Sequence, residues 1–488
     1  MNKDKIIRNS IKLLSKAIIS SMPKSYFKSG DEANEYMLTG DDKFSDKAGS
    51  CFTFGFAKSI LTPEDITKAK YYIAGYDSNN PAKGVLDDMY ARAVYIDDNT
   101  GRGGVVFCVL DVVGISRKDI NDIRKIVIES KRIPALKSIN ISATHSHSAI
   151  DTQGLWGEKL YKSGRNDAFM EILKKKTADA IINAYENKKN GKLYFSKIET
   201  VDMQFDCRTP DTYDKTLTRI RFEAEDSSEI YIVNFASHAE LMGSETKVVS
   251  ADFPAYMIKE IEENKKNTEV VFVNGAIGGM ISAKEIKKVY REEIDCEKYT
   301  KEFGRTLGKL VLSLNSETEI EPIINIKSRP VEIKAENFVL ILARLLKVLN
   351  NNIARGKKRS EASIYSEVGY LELGLNKIGA FLVPGELFPE LWNGEFLSAE
   401  ESANASDANY KILSKMCNCE HQFVIGLCND ELGYIIPEND FILNERLPYI
   451  NSAKDRFDRN HYEETNSTGS KTAFTILDET DKLIISAK

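Results

Sequence analysis

Ile139-Asn140-Ile141-Ser142-Ala143-Thr144-His145-Ser146-His147-Ser148 reads as a buried strand that runs straight into a polar loop carrying two histidines. The whole chain has only five: His145, His147, His238, His421 and His461. Residues i and i+2 of an extended segment point to the same side. His145 and His147 therefore aim two imidazoles into one crevice, where neutral imidazole is a natural zinc ligand. Spacing alone leaves a plainer alternative open, in which one ring caps the loop and the other is exposed.

The segments on either side alternate between strand and helix. Upstream, Phe52–Leu61 reads as a strand stopped at Thr62-Pro63, and Tyr90–Ile96 with Gly104–Asp111 form a hairpin around the turn at 97–101. Ser116 with Asp119 is a capping box. It opens a helix with the stripe Ile120, Ile123, Ile126 and Val127, giving a strand–helix–strand crossover into the histidine strand. Downstream come a helix over Asp167–Asn187, a strand over Leu193–Thr200, and a hairpin from Leu217–Glu223 and Glu229–Phe235 that exits through Ala236-Ser237-His238. A helix over Ala255–Glu262 leads to the strand Val270–Val273 and the loop Asn274–Gly279. The helix Tyr299–Leu312 carries Gly304 and Gly308 on one face, which allows close helix approach. Phe338–Leu349 is a strongly apolar helix expected in the core, and Arg355–Ser363 is expected as a solvated basic loop. A third hairpin, Val368–Leu373 with Ile378–Val383, exits through Pro384-Gly385-Glu386, and Phe423–Leu427 is a last strand. The fold class expected is α/β, with mixed β-sheets and flanking helices in a single large domain over residues 46–488.

Composition narrows the function. The 488 residues are 42% hydrophobic and carry a net charge of −6, enough for a large core and no argument for nucleic acid. Seven scattered cysteines without a C-x-x-C pair read as reduced thiols. No apolar run approaches a membrane span and no signal peptide is seen, so a cytoplasmic or membrane-peripheral location is expected. Residues 1–45 form a basic amphipathic extension, with Lys3, Lys5, Arg8, Lys12 and Lys16 among Ile6, Ile7, Ile11, Leu14, Ile18 and Ile19. Packing on the body is its plain reading, and peripheral membrane contact through residues 1–30 is the sharper one.

Three strands thus end in candidate ligands: His145/His147, His238 and Glu386. Open α/β sheets gather their sites at strand carboxyl ends. Two histidines and one carboxylate form a hydrolytic zinc set that leaves room for water.

Phe54–Pro63, Ala91-Arg92-Ala93, Ser142–Ser148, Arg208-Thr209-Pro210, Asn234–His238, Val383–Glu386, Gly433-Tyr434 and Tyr462-Glu463-Glu464 together resemble the catalytic domain of the neutral/alkaline non-lysosomal ceramidase family. These stretches stand in the family's order across roughly residues 50–475. The resemblance implies one zinc ion per chain, held by His145, His238, Glu386 and Tyr434. It implies proton transfer by His147, and transition-state contacts from Arg208 and Tyr434. The implied reaction is hydrolysis of an N-acyl sphingosine (ceramide) or related lipid amide, the partner being a lipid or small-molecule amide. Zinc lowers the pKa of a bound water to about 7, which suits such chemistry at neutral pH.

Two departures qualify this. The family carries a serine in the loop after the strand matching Val270–Val273, where this chain has Gly279, with Ser282 three residues late. The family's common C-terminal immunoglobulin-like domain is also not expected here. A hydrolase of a different amide or ester, or a non-catalytic zinc-containing lipid binder, therefore stand as alternatives. A metallo-β-lactamase-like site would need H-x-H-x-D-H, and Ala149-Ile150 follow Ser148 instead.

Overall fold

A computed structural model describes residues 3–159, 161–350 and 353–488. Met1 and Asn2, the start of the expected extension, lie outside the described residues, as do the side chains of Lys3 and Lys5. The basic segment forms helix α1 (Lys3–Ser21). The first sheet contains β1 (Phe52–Ile60), β2 (Tyr90–Asp97), β3 (Gly104–Leu110), β4 (Leu136–Ala143), β5 (Lys189–Glu199), β6 (Thr216–Ala224), β7 (Glu229–Phe235) and β8 (Thr268–Asn274). Their spatial order is β8-β7-β6-β5-β1-β2-β3-β4, with a short edge strand, Thr318–Ile320, beside β5. The two end pairs, β7/β8 and β3/β4, are parallel, and every pair between them is antiparallel. The second sheet is β9 (Ile324–Ala335), β10 (Ala362–Leu373), β11 (Ile378–Leu382) and β12 (His421–Ile425), in that order, with only β11/β12 parallel.

The two sheets lie face to face, and helices cover their outer faces. Strand alternation sorts side chains between the layers. On β3, Val105, Phe107 and Val109 point to the inter-sheet core, where they meet Leu371, Leu382 and Phe423. Val106, Cys108 and Leu110 point the other way, beneath α2 (Arg117–Ser130) and α3 (Asp167–Glu186). The same division on β8 sends Val271 and Val273 inward and Val270 and Phe272 toward α4 (Phe253–Asn264) and α5 (Cys296–Leu312). A Cβ at Gly304 would stand 2.4 Å from the Phe253 carbonyl oxygen, so the small residues expected on one face of α5 are what lets α4 approach. A C-terminal helix, Thr472–Ala487, covers the second sheet.

The first sheet also brings its ends together. Neighbouring strands twist by roughly 20–25°, so six steps from β7 to β4 accumulate about 120–150°. The two strands, opposed in topology, thereby deliver their carboxyl ends to one place, and β8 touches β3 and β4.

Two expectations change. The apolar helix α6 spans only Phe338–Leu345, and Leu346 is 64% exposed. Ile341 and Leu345 pack into the core, with Phe338, Val339 and Leu342 against it, whereas Leu340 and Arg344 face a cavity, so the helix is in the core on one face and forms a rim on the other. The basic stretch after it is solvated only at Lys357–Arg359 and is strand on either side. Ile353–Arg355 pairs with β10, and Arg355 donates to the carbonyls of Ile19 and Met22 while Arg359 donates to Ser20. Cations at a helix C-terminus meet its unpaired carbonyls, so this stretch clamps α1 to the body. No described helix is long and apolar enough to cross a membrane.

Candidate metal centre and active-site cavity

β4 and β7 end side by side. Ser146 bridges Ala239, and the His147 N–H donates to the Ala239 carbonyl at 2.8 Å. Asn274, at the end of β8, donates through Nδ2 to the carbonyls of both Thr144 (3.2 Å) and Ser237 (3.1 Å) and accepts from the Ser237 N–H. His145 adopts φ +65°, a left-handed conformation that costs a non-glycine residue about 1 kcal/mol and is common at functional sites. Glu386 arrives from the end of β11 and pairs in parallel with Tyr434.

Each of the two ligating imidazoles expected from the sequence is oriented by a main-chain carbonyl. His145 Nδ1 donates to Val113 O at 2.6 Å, and His238 Nδ1 donates to Ile281 O at 2.8 Å. Such a bond fixes the tautomer and leaves Nε2 as a bare lone pair. Both Nε2 atoms point at Glu386 Oε2, at 3.6 Å from His145 and 3.0 Å from His238. Ligands about 2.0 Å from a tetrahedral ion stand roughly 3.3 Å apart, which these separations bracket. Three acceptors facing one another repel unless a cation or proton lies between them, so the donor set fits zinc.

The ring nitrogens of His145, His147 and His238 also lie within 4.8 Å of one another. Burial drives the His145 pKa down to about 4 against the pull of Glu386, and lowers those of His147 and His238. All three rings are therefore neutral at pH 7, the form a ligand or general base needs. Burial raises Glu386, with the His145 charge opposing, and a divalent cation would reverse that cost.

Tyr434 is buried, with its hydroxyl 3.0 Å from Met280 Sδ and 3.5 Å from the Tyr462 hydroxyl. Arg208 lies on the wall of the same cavity, among carboxylates. It contacts Asp440 Oδ2 at 2.9 Å, Glu463 at 3.0 Å, Glu464 at 3.3 Å and His461 Nδ1 at 3.0 Å, and stacks on Phe388. Burial works against its charge, but the three carboxylates push its pKa up. The Arg208 charge is thus met by carboxylates within the cavity wall. His421 stands apart, stacked on Phe195.

The cavity has a volume of about 840 Å³. It holds two groups that the sequence reasoning missed. Glu240 is fully buried, hydrogen-bonded by the hydroxyls of Tyr290 (3.0 Å) and Tyr76 (3.2 Å), and its Oε2 is 3.9 Å from His147 Nδ1. His238-Ala239-Glu240 repeats the i, i+2 spacing of His145 and His147, and that signal could have found it. Arg344, the second, carried no local signal.

The sequence profile of neutral/alkaline non-lysosomal ceramidase, N-terminal, matches residues 61–285. Over that stretch the chain is similar to the neutral/alkaline non-lysosomal ceramidases. Its fold is similar to the crystal structure of neutral ceramidase from Pseudomonas aeruginosa, with a TM-score of 0.68 at 14% identity over 90% of this chain and 75% of that one. It is similar also to a ceramidase complexed with C2, with a TM-score of 0.64 at 12% identity over 89% of this chain and 76% of that one. No curated protein sequence matches it. The matched stretch takes in His145, His147, Arg208 and His238, whereas Glu386 and Tyr434 lie beyond it and join the cluster only through the fold. Gly279, in place of the family serine, has φ +80°, and a Cβ there would meet nothing closer than Phe388 at 3.6 Å. The space for a side chain is present, and the side chain is not. Ser282, by contrast, lies beside Glu240.

Proposed function

We propose that this chain is a zinc-dependent hydrolase of a linear amide, ceramide or a related lipid amide, with His145, His238, Glu386 and Tyr434 as the zinc ligands. The observation that carries the reading is the convergence of two carbonyl-oriented Nε2 lone pairs on Glu386 Oε2. A zinc ion there supplies a Lewis acid for the amide carbonyl and an acidified water. His147, neutral through burial and beside the cluster, takes the proton of the attacking water and delivers it to the leaving amine. Tyr434 and Arg208, both on the cavity wall, are the groups assigned to charge developing on the carbonyl oxygen. Glu240, with Oε2 3.9 Å from His147 Nδ1, is assigned to steady the charge that His147 takes on.

A second reading, hydrolysis of an amide other than ceramide, is favoured by one observation: the side-chain space at Gly279 is empty. The outward face of α1 is assigned to contact with a lipid surface.

Elemental analysis of the purified chain tests the metal reading. About one zinc per chain is expected, lost in His238→Ala and retained in His147→Ala. Hydrolysis of N-acyl lipids should stop with a chelator and fall by about 10²- to 10⁴-fold in His147→Ala, the usual worth of a general acid–base group. Zinc-free protein that stays inactive after zinc is added back would leave the non-catalytic binder as the better reading.

A further inference from the structure

Three arginines line the cavity, and two of them are paired. Arg208 has its carboxylate nest, and Arg459 donates to Asp455 at 2.5 Å. Arg344 differs. It sits on α6 at the rim and is 8% exposed. Its one hydrogen bond among the described residues goes to the carbonyl of Leu340 in its own helix, at 3.3 Å. No carboxylate of the described residues forms an ion pair with it. Burial lowers its pKa, and only the more distant Asp430 opposes this. An unpaired buried guanidinium is costly, because neither water nor a partner replaces its lost solvation.

The same cavity lining carries further groups without partners among the described residues. Gln153 is 9% exposed, and its Nε2 donor is buried without an acceptor. Glu431 accepts from the Gly433 N–H through Oε1, while its Oε2 is buried without a partner. A Cβ on Gly114 would stand 3.0 Å from Gln153 Nε2 and 2.8 Å from Glu431 Cγ, so the two side chains flank one another there. Gly114 follows Val113, whose carbonyl orients His145, so this wall adjoins the candidate metal cluster. Leu155, Leu340 and Leu349 supply apolar surface around it.

We infer that Arg344 and Gln153 form an anion-recognising subsite, and that the amide cleaved here carries a compact anion such as a carboxylate on one of its two halves. This rests on the hydrolase reading above and narrows its substrate class. Ceramide, with hydroxyls alone on its sphingoid base, leaves the guanidinium without a counter-charge. Gly279 agrees, since a site that has exchanged a hydroxyl for hydrogen at one wall has a cation unpaired at another.

The test compares near-isosteric amides on the zinc-loaded full chain. N-lauroylglycine carries the anion on the amine half, the monoethanolamide of dodecanedioic acid carries it on the acyl half, and N-lauroylethanolamine carries none. The expected result is that one anionic amide exceeds the neutral one in kcat/KM by roughly tenfold to a hundredfold, the worth of one charge-assisted hydrogen bond. That ratio should fall toward one in Arg344→Gln and recover in part in Arg344→Lys. Gln153→Leu, a second variant that keeps the cation, should lower it less. Equal rates in the wild type, or a ratio unchanged in Arg344→Gln, would overturn the inference. If no amide is cleaved, the hydrolase reading fails on its own, and calorimetry with the same three compounds decides the subsite. Binding of an anionic amide about tenfold tighter than the neutral one, lost in Arg344→Gln, would uphold it, and equal binding would refute it.

Discussion

The Asn274 carboxamide donates to the main-chain carbonyl of Thr144 at 3.2 Å, the residue immediately before His145. Its other amide hydrogen goes to the Ser237 carbonyl, immediately before His238. One side chain at the end of β8 thus sets the spacing of two ligand-bearing loops. Asn274→Ala leaves two buried carbonyls and two N–H groups, those of Ser237 and Gly275, without these partners, at about 1–3 kcal/mol for each unpaired group. The expected outcome is a thermal midpoint several degrees lower and a zinc affinity reduced at least tenfold, read by competition with a chromogenic chelator. An unchanged affinity in a destabilised variant would mean that the clamp serves the fold alone.

Gly279→Ser restores the family residue in a space that accepts a Cβ without a clash. At φ +80° a side chain costs about 1–2 kcal/mol, so the variant should be slightly less stable. If the missing hydroxyl sets substrate choice, cleavage of ceramide should rise relative to N-lauroylethanolamine. A variant that folds and shows the same ratio would remove Gly279 from the account of specificity.

Glu367 holds the histidine strand from behind. It accepts from Arg124 at 2.6 and 2.9 Å and pairs with Arg117 at 3.2 Å, while Arg124 also donates to the Ile139 carbonyl on β4. Burial raises its carboxyl pKa, but the two guanidinium charges prevail and hold it below the ordinary value. A depressed carboxyl pKa contributes stability that is present above the unfolded-state value of about 4.3 and is lost as pH falls through the folded-state value. Glu367→Gln should therefore cost about 3–5 kcal/mol at pH 7, since it leaves two buried cations unpaired. The gap between wild type and variant, from urea midpoints, should narrow below about pH 4.3. A gap that stays constant with pH would show that the carboxylate charge is not what stabilises this junction.

The outward face of α1 presents Leu13 and Leu14, 68% and 62% exposed, among Arg8, Lys12 and Lys16. Apolar and basic groups on one helix face suit an anionic bilayer surface. Co-sedimentation with vesicles containing one-third phosphatidylserine is expected, weakened by high salt and by Leu13→Glu with Leu14→Glu. Equal binding to pure phosphatidylcholine vesicles, or none to either, would confine α1 to its packing role.

What the sequence determined by itself was local. Alternation and helical periodicity placed the strands, the crossover helix and the close α4–α5 contact, because backbone geometry repeats over a few residues. They also put His145, His238 and Glu386 at strand ends. That these three meet, across gaps of 93 and 148 residues, was decided by the twist that curls the first sheet and by the packing of the second sheet against it. The same long-range packing committed Arg208 to Asp440, Glu463 and Glu464 and brought Glu240 beside His147. It set one face of an apolar helix on a cavity rim and left Arg344 without a carboxylate among the described residues. Whether a buried charge finds a partner depends on segments far away along the chain, so it is a property of the tertiary structure and of no sequence window.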